Sequence, residues 1–505
     1  MTVTTAFDRL CAGLGRHPGR PVLVTDAVTL DGGGLLRKTD AWAARLAARD
    51  LPRGSRIAVL ARGHADVVAL MLAIYRLGLV YVPINPRYRG AELQHVVEDC
   101  GASMLLCDQA LADDRLGMLD PGLPRFGIDP GSALPSLPDA APAVASALRD
   151  DETAILVYTS GTTGRSKGVK LSLHAIVGNI GALTELWGWT ADDVLSLALP
   201  LFHVHGLCIG VHGGLLHGMC IRLHARFDPA AIVTDFAQDA TIFMGVPTMY
   251  GRMLEHLQAQ PPAAAVLARG RLFTAGSAAL RPAVLEHWEQ LTGQRILERY
   301  GMSETLITLS NPRDGERRPG AVGHPVPGCE VQVVDDAGHP VAPGEIGELW
   351  VRGPYLMQGY WNRPQDTAAA FCRGWFKTGD VVRSDPDGYL RIVGRRSVDV
   401  IKSGGFKIAA PQIEEVLRQH PSVRDAAVVG VPDARWGERI AAAVEANPGH
   451  VPTLDVLGPW VAEHLADYKK PRQMEVVDTL PRNALGKIQK PRLLPLFQRP
   501  DDPRD

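Results

Sequence analysis

The chain has 505 residues, 46% hydrophobic and 21% charged, which is enough apolar material for a large core and excludes global disorder. Its 53 basic and 55 acidic residues leave a net charge of −2, so nucleic acid and anionic membranes are excluded as bulk partners. Seven cysteines (11, 100, 107, 208, 220, 329 and 372) lie far apart without a C-x-x-C pair, the pattern of reduced thiols in a cytoplasmic protein. The N-terminus carries no basic and apolar leader pattern, so none is expected.

In chain order, Arg56-Ile-Ala-Val-Leu60 has the length and composition of a strand. Val67, Val68, Met71, Leu72 and Tyr75 follow at helical spacing, and Leu79-Val-Tyr-Val82 is the next strand. Ala91 to Asp99 then reads as a helix and Ser103-Met-Leu-Leu-Cys107 as a strand. This alternation predicts parallel sheets covered by helices. Residues 120–150, rich in Pro, Ala and Asp, form a surface excursion. A second α/β region covers 151–330, with strands near 154–158, 195–199, 241–245, 271–274 and 295–299. Within it, Val194 to Ile221 has no Asp, Glu, Lys or Arg and is long enough to span a membrane. Pro200, five glycines and four histidines argue instead for a buried strand, a loop and a helix.

From Gly328 to Arg395 short strands alternate with turns such as Asp336-Ala-Gly338, the texture of a small antiparallel β-barrel or sheet. The fold class expected is α/β. A large N-terminal domain (1–394) of two parallel-rich, helix-covered sheets and the small β-barrel precedes a small α+β C-terminal domain (395–505).

The most specific segment is Tyr158-Thr-Ser-Gly-Thr-Thr-Gly-Arg-Ser-Lys-Gly168, which follows the apolar run Ala154-Ile-Leu-Val157. Its glycines, hydroxyls and Lys167 suit a loop that surrounds phosphate oxygens. A Walker loop fails on spacing, because Ser166 stands five after Gly161 and Gly168 follows Lys167. Taken alone, the segment also fits an ordinary surface turn.

It is not alone. This loop resembles the core signature of the acyl-adenylate-forming superfamily, which includes acyl-CoA synthetases, peptide-synthetase adenylation domains and luciferases. Further segments resemble that family's other signatures, in its order, across essentially the whole chain. They are Glu298-Arg-Tyr-Gly-Met-Ser-Glu304, Gly374-Trp-Phe-Lys-Thr-Gly-Asp380, Val393-Gly-Arg395, Ile401-Lys-Ser-Gly-Gly-Phe-Lys407 and Pro481-Arg-Asn-Ala-Leu-Gly-Lys487.

The resemblance implies ATP, CoA and Mg²⁺ as cofactors and a role for each motif. Thr159, Ser160, Gly161, Thr162, Thr163, Gly164 and Lys167 would hold ATP phosphates, and Tyr300 would stack on adenine. Ser303 would meet the α-phosphate, and Glu304 would bind Mg²⁺, an ion that prefers oxygen ligands and bridges phosphates. Asp380 would accept both ribose hydroxyls, with Arg395 on the other side. Lys487 would bridge the carboxylate and the α-phosphate during adenylation, offsetting the repulsion between two anions. Ser403, Gly404 and Gly405 would line the path of the CoA arm, and the C-terminal domain would be mobile about a pivot at Ser397 or Val398. Without the resemblance, Asp380 is an ordinary turn residue, Tyr300 a core aromatic and Lys487 a solvated charge.

The acid should bind where strands of the second sheet end. Val246-Pro-Thr-Met-Tyr-Gly-Arg252, Thr274-Ala-Gly-Ser-Ala-Ala-Leu280 and Leu297-Glu-Arg-Tyr-Gly301 supply Arg252, Ser277 and Arg299. Together they resemble the malonyl-CoA and methylmalonyl-CoA synthetases, in which the matching side chains hold the distal carboxylate of a diacid. His205 in Leu201-Phe-His-Val-His-Gly206 would lie near the acid, and no third ligand supports a metal reading of His203 and His205. Ala275 and Ile307-Thr308 depart from that group's usual residues. Malonate or methylmalonate is therefore the expected small-acid partner, with no nucleic acid and no membrane insertion. A synthetase for another small, aryl or medium-chain acid, or a module loading a carrier protein, stays open.

Overall fold

The structure is a computed structural model that describes residues 4–112, 115–128, 134–140, 146–159, 166–395, 399–403, 406–433, 435–482 and 486–497. It divides into two compact units, one of residues 1–330 and 351–376, the other of residues 331–350 and 377–505. This division runs through the short-strand region, earlier in the chain than the 394/395 boundary expected from sequence.

The first unit contains two sheets. In one, Arg56–Leu60, Val80–Pro83 and Met104–Cys107 run parallel, and Thr153–Thr159 joins at Tyr81. In the other, Val194–Leu197, Ile242–Gly245, Leu272–Ala275 and Leu297–Met302 are consecutive parallel neighbours. Strands buried on both faces read as near-continuous apolar runs, as Val80–Pro83 and Met104–Cys107 do. The helix Ala65–Arg76 is buried on nearly all sides, from Val67 through Tyr75. Such all-round apolarity suits only a core position. One apolar cluster accordingly joins it to residues of both sheets, including Ile57, Val59, Leu195 and Leu197.

The uncharged stretch Val194–Ile221 resolves as expected at its start, a buried strand. The loop expected next contains a π-helix, His205–Val211, which runs into the helix His212–His217, and the strand Cys220–Leu223 follows. Among the described residues no helix is long and apolar enough to cross a membrane.

In the second unit, Asp380 to Ser384 pairs antiparallel with Leu390–Arg395, part of a five-stranded sheet. Beyond it, Val423–Asp433 and Gly437–Ala446 form a long antiparallel pair, with Gln473–Val476 parallel to the second strand. Alternate residues of this sheet enter two separate cores, Ala426 and Val428 on one side and Ala427, Val429 and Val431 on the other.

Candidate active site

Segments at the ends of four neighbouring strands of the first unit surround a buried cation. Arg299, in Leu297–Met302, is 4% exposed, and its Nε and Nη2 have no hydrogen-bond partner among the described residues. Burial pulls its guanidinium down to about 9, with Tyr250 opposing that shift, so it is still charged at neutral pH. Removing one partner of a buried ion pair costs about 3–5 kcal/mol. An enclosed guanidinium with two idle donors therefore calls for an anion.

Gly276 follows the neighbouring strand, and the nearest atoms to its backbone's open side belong to the Arg299 guanidinium. Tyr250, fully buried in the helix Pro247–Ala259, donates its hydroxyl to the Thr274 carbonyl at 2.9 Å. His205 opens the π-helix, a distortion frequent at functional sites. Both its ring nitrogens are buried without partners. Burial, then the charges of Arg299 and His203, hold it well below the usual histidine range, so it is neutral. His203 is likewise pulled down by burial, to about 4.

Arg252 is placed differently. It is exposed on the helix Pro247–Ala259, with its guanidinium 4.9 Å from the Phe227 ring centroid. A helix advances about 100° per residue, so Arg252 stands on a different face of the helix from the buried Tyr250. Ser277 is exposed and adopts φ +69, the left-handed region that non-glycine residues rarely occupy and that concentrates at functional turns. Arg299, His205, Gly276 and Tyr250 are thus brought together, whereas Arg252 and Ser277 are exposed side chains.

The phosphate-loop candidate begins at the end of a hairpin strand. Thr153–Thr159 pairs antiparallel with Lys167–Ser172, with Thr159 opposite Lys167. A Walker loop leads into a helix, so the strand after Lys167 separates the two as the spacing did. Ser160, Gly161, Thr162, Thr163 and Gly164 lie outside the described residues. The far end of the loop is anchored by His95, whose Nε2 is 2.8 Å from the Ser166 carbonyl. Lys167 pairs with Asp366 at 3.0 Å and lies 5.3 Å from the Tyr360 ring. Both partners of the ion pair are about a third exposed, so the pair is weak.

Tyr300, half-buried in Leu297–Met302, directs its hydroxyl to Met302 Sδ at 3.9 Å. Ser303 and Glu304 occupy the turn before the returning strand Leu306–Ser310. The turn is tight: a Cβ on Gly301 would come within 1.9 Å of the Leu306 carbonyl oxygen, so only glycine fits. Glu304 is 7% exposed and accepts a 3.0 Å hydrogen bond from the Tyr360 hydroxyl. Among the described residues there is no group of three or more His, Cys, Asp or Glu that could hold a metal.

The second unit holds the remaining candidates. Asp380, 8% exposed, pairs with Arg395 Nε at 3.2 Å, and Arg395 Nη1 donates to the Thr378 carbonyl at 2.7 Å. The Arg395 backbone N–H donates to Asp399 Oδ2 at 2.9 Å. Asp399 in turn meets the Lys490 ammonium, which also pairs with Glu414 at 2.6 Å. Lys487 is exposed, three residues before Lys490, and its charge helps to lower Asp399. Ser403 is buried and stands opposite Phe406 in an antiparallel pair. Gly404, Gly405, Ser397 and Val398 lie outside the described residues.

Tyr360, Asp366, Tyr250, Gly276 and His95 were not singled out in the sequence. The signal for Tyr360 was slight, an apolar Gly359-Tyr360-Trp361 step after the short strands.

Comparison with known proteins matches residues 12–361 to the AMP-binding enzyme family and residues 412–487 to the AMP-binding enzyme C-terminal domain. The chain is 37% identical to the human mitochondrial malonate–CoA ligase ACSF3 over 486 residues, 88% of this chain and 83% of that protein. Its fold is similar to ATP-bound MatB from Rhodopseudomonas palustris, with a TM-score of 0.88 and 34% identity, covering 98% of this chain and 99% of that one. It is also similar to a malonyl-CoA ligase in a ternary product complex with methylmalonyl-CoA and AMP. That match has a TM-score of 0.66 and 40% identity, covering 93% of this chain and 99% of the other.

Proposed function

Because this chain belongs to the AMP-binding enzyme family, we propose that it is an ATP-dependent acid–CoA ligase that converts malonate, or its methyl derivative, to the CoA thioester. The observation that carries the diacid reading is Arg299, a buried cation with two unpartnered donors at the strand ends. A monocarboxylic acid uses its one carboxylate in the reaction and leaves that cation unpaired. A diacid has a second carboxylate to pair with it, at about 1.5–3 kcal/mol per charged hydrogen bond. The relatives named for malonate support the same choice.

In the first step the acid's reacting carboxylate oxygen attacks the α-phosphorus of ATP, and pyrophosphate leaves. In the second the CoA thiol attacks the acyl carbonyl, loses its proton and displaces AMP. Thr159 to Gly164 and Lys167 bind phosphates, Ser303 meets the α-phosphate, and Tyr300 stacks on adenine. Asp380 and Arg395 hold the ribose. Glu304 is the carboxylate offered to Mg²⁺, which neutralises phosphate charge when bound. Lys487 offsets the charge that gathers between carboxylate and phosphate. His205, neutral and with both nitrogens idle, is placed to donate to the acid, and Arg252 and Ser277 complete the distal carboxylate site. Residues 395–505 form the mobile C-terminal domain, pivoting at 397 or 398, and Ser403 to Gly405 border the thiol path.

We place the enzyme in the cytoplasm from its cysteine usage, although the human relative is named as mitochondrial. The test is pyrophosphate release with a panel of mono- and dicarboxylic acids, with and without CoA. Malonate or methylmalonate should lead the panel, and thioester should appear only when CoA is present.

A further inference from the structure

The cation of the acid pocket sits where a side chain is missing. Gly276 is buried, and its φ lies outside the left-handed region, so its backbone alone does not require glycine. What requires it is space. A Cβ built on Gly276 would stand 2.4 Å from Arg299 Cζ, 2.4 Å from Nη1 and 2.7 Å from Nε. No real Cβ tolerates such distances. The three atoms belong to one planar group, so the methyl would lie over the guanidinium. The three nearest atoms to that position all belong to Arg299, the far end of a flexible side chain and not backbone.

Resting on the diacid reading above, we propose that Gly276 is a specificity-determining residue: its missing Cβ creates the slot that holds the Arg299 guanidinium in position for the substrate's distal carboxylate. The end of Arg299 is the movable partner, because the strand Leu297–Met302 that carries it is paired on both sides. A methyl at 276 must therefore displace the guanidinium. Displacement by about 1 Å misaligns a charged, desolvated hydrogen bond, and such misplacement costs on the order of 10²-fold in a reaction that depends on it. The reacting carboxylate and the nucleotide are bound by other residues. The defect should thus fall on the choice of acid and not on the chemistry common to all acids.

A double-variant cycle decides the matter. The kcat/KM for malonate and for butyrate is measured by pyrophosphate release in the parent, Gly276→Ala, Arg299→Lys and the double variant, with melting temperatures alongside. Gly276→Ala should lower the malonate-to-butyrate ratio by about 10- to 100-fold. In the Arg299→Lys background, where a slim ammonium replaces the planar fork, adding Gly276→Ala should change the ratio by less than about threefold, because contacting residues are not additive. Equal losses for both acids, or the same loss in both backgrounds, would overturn the proposal. If Gly276→Ala does not fold, the double variant must fold, and its failure as well would overturn the proposal. A parent with no preference for malonate over butyrate would overturn the diacid reading itself, and that result is seen before any variant is compared.

Discussion

Tyr360 donates its hydroxyl to Glu304 Oε1 at 3.0 Å, and its ring lies 5.3 Å from the Lys167 ammonium. One tyrosine therefore touches both the buried carboxylate proposed as the Mg²⁺ ligand and the lysine at the end of the proposed phosphate loop. The link has a simple origin. The two-residue strand Gly359–Tyr360 pairs with Lys167–Ser172, with Tyr360 opposite Val169, which sets the ring beside the start of that strand.

Tyr360→Phe keeps the ring and removes the hydrogen bond. Partners that orient a metal-ligating carboxylate are worth about 10- to 100-fold in metal affinity. The Mg²⁺ concentration for half-maximal pyrophosphate release should rise at least tenfold, and calorimetric binding of Mg·ATP should weaken with it. The melting temperature should move by only a few degrees. An unchanged Mg²⁺ requirement would remove Tyr360 from this role.

Lys487 is exposed on the second unit, as a group that must reach a substrate should be. Lys487→Ala should slow adenylate formation by about 10²–10³-fold, the effect of removing one transition-state charge donor. Thioester formation from supplied acyl-AMP should be far less affected. Pre-steady-state measurement of each half-reaction checks this, and equal losses in both would count against the assignment.

The cluster of Asp399, Lys490 and Glu414 gives the second unit a defined pH response. Burial alone would raise Asp399, but the Lys490 ammonium outweighs it and holds the carboxyl below its usual range. Burial would lower Lys490, yet Glu414 and Asp399 hold it above its usual range. A lowered carboxyl contributes stability that is complete above its unfolded value, 3.8, and is lost as the pH falls through the folded value beneath it. A raised lysine contributes stability that is complete below 10.5 and is lost as the pH climbs through the folded value above it. Lys490→Met takes the paired ammonium from Asp399 and leaves Glu414 with Arg418 alone, and should destabilise by about 3–5 kcal/mol at neutral pH. Denaturant unfolding from neutrality down through pH 3.8 should show the gap between parent and variant closing at the acid end. A constant gap would mean that the pair contributes through packing alone.

Much of the fold was legible because its signals are local. The Val/Ile/Leu runs at Arg56–Leu60 and Met104–Cys107 appear as the strands they suggested. The strand Thr153–Thr159 was legible from the run Ala154-Ile-Leu-Val157, although its antiparallel pairing with Lys167–Ser172 was not. What the sequence hid depends on separation and angle. Tyr360 reaches Glu304 across 56 positions, and no spacing rule spans that distance. Arg252 stands near a strand end in sequence, but which residue of its helix is buried depends on helical phase, and that residue is Tyr250. The π-helix at His205–Val211 replaced an expected loop, because a run of Gly, Cys, Ile and Val among histidines has no distinctive period. Gly276 looked like one glycine among many until Arg299 was found against it.

The most direct test of the central claim is the kcat/KM of parent and Arg299→Ala with malonate and with butyrate. The parent should prefer malonate, and the variant should lose about 10- to 150-fold in the malonate-to-butyrate ratio, the value of one charged, desolvated hydrogen bond. A parent that prefers butyrate or longer acids, or a variant weakened equally for both, would contradict the diacid reading.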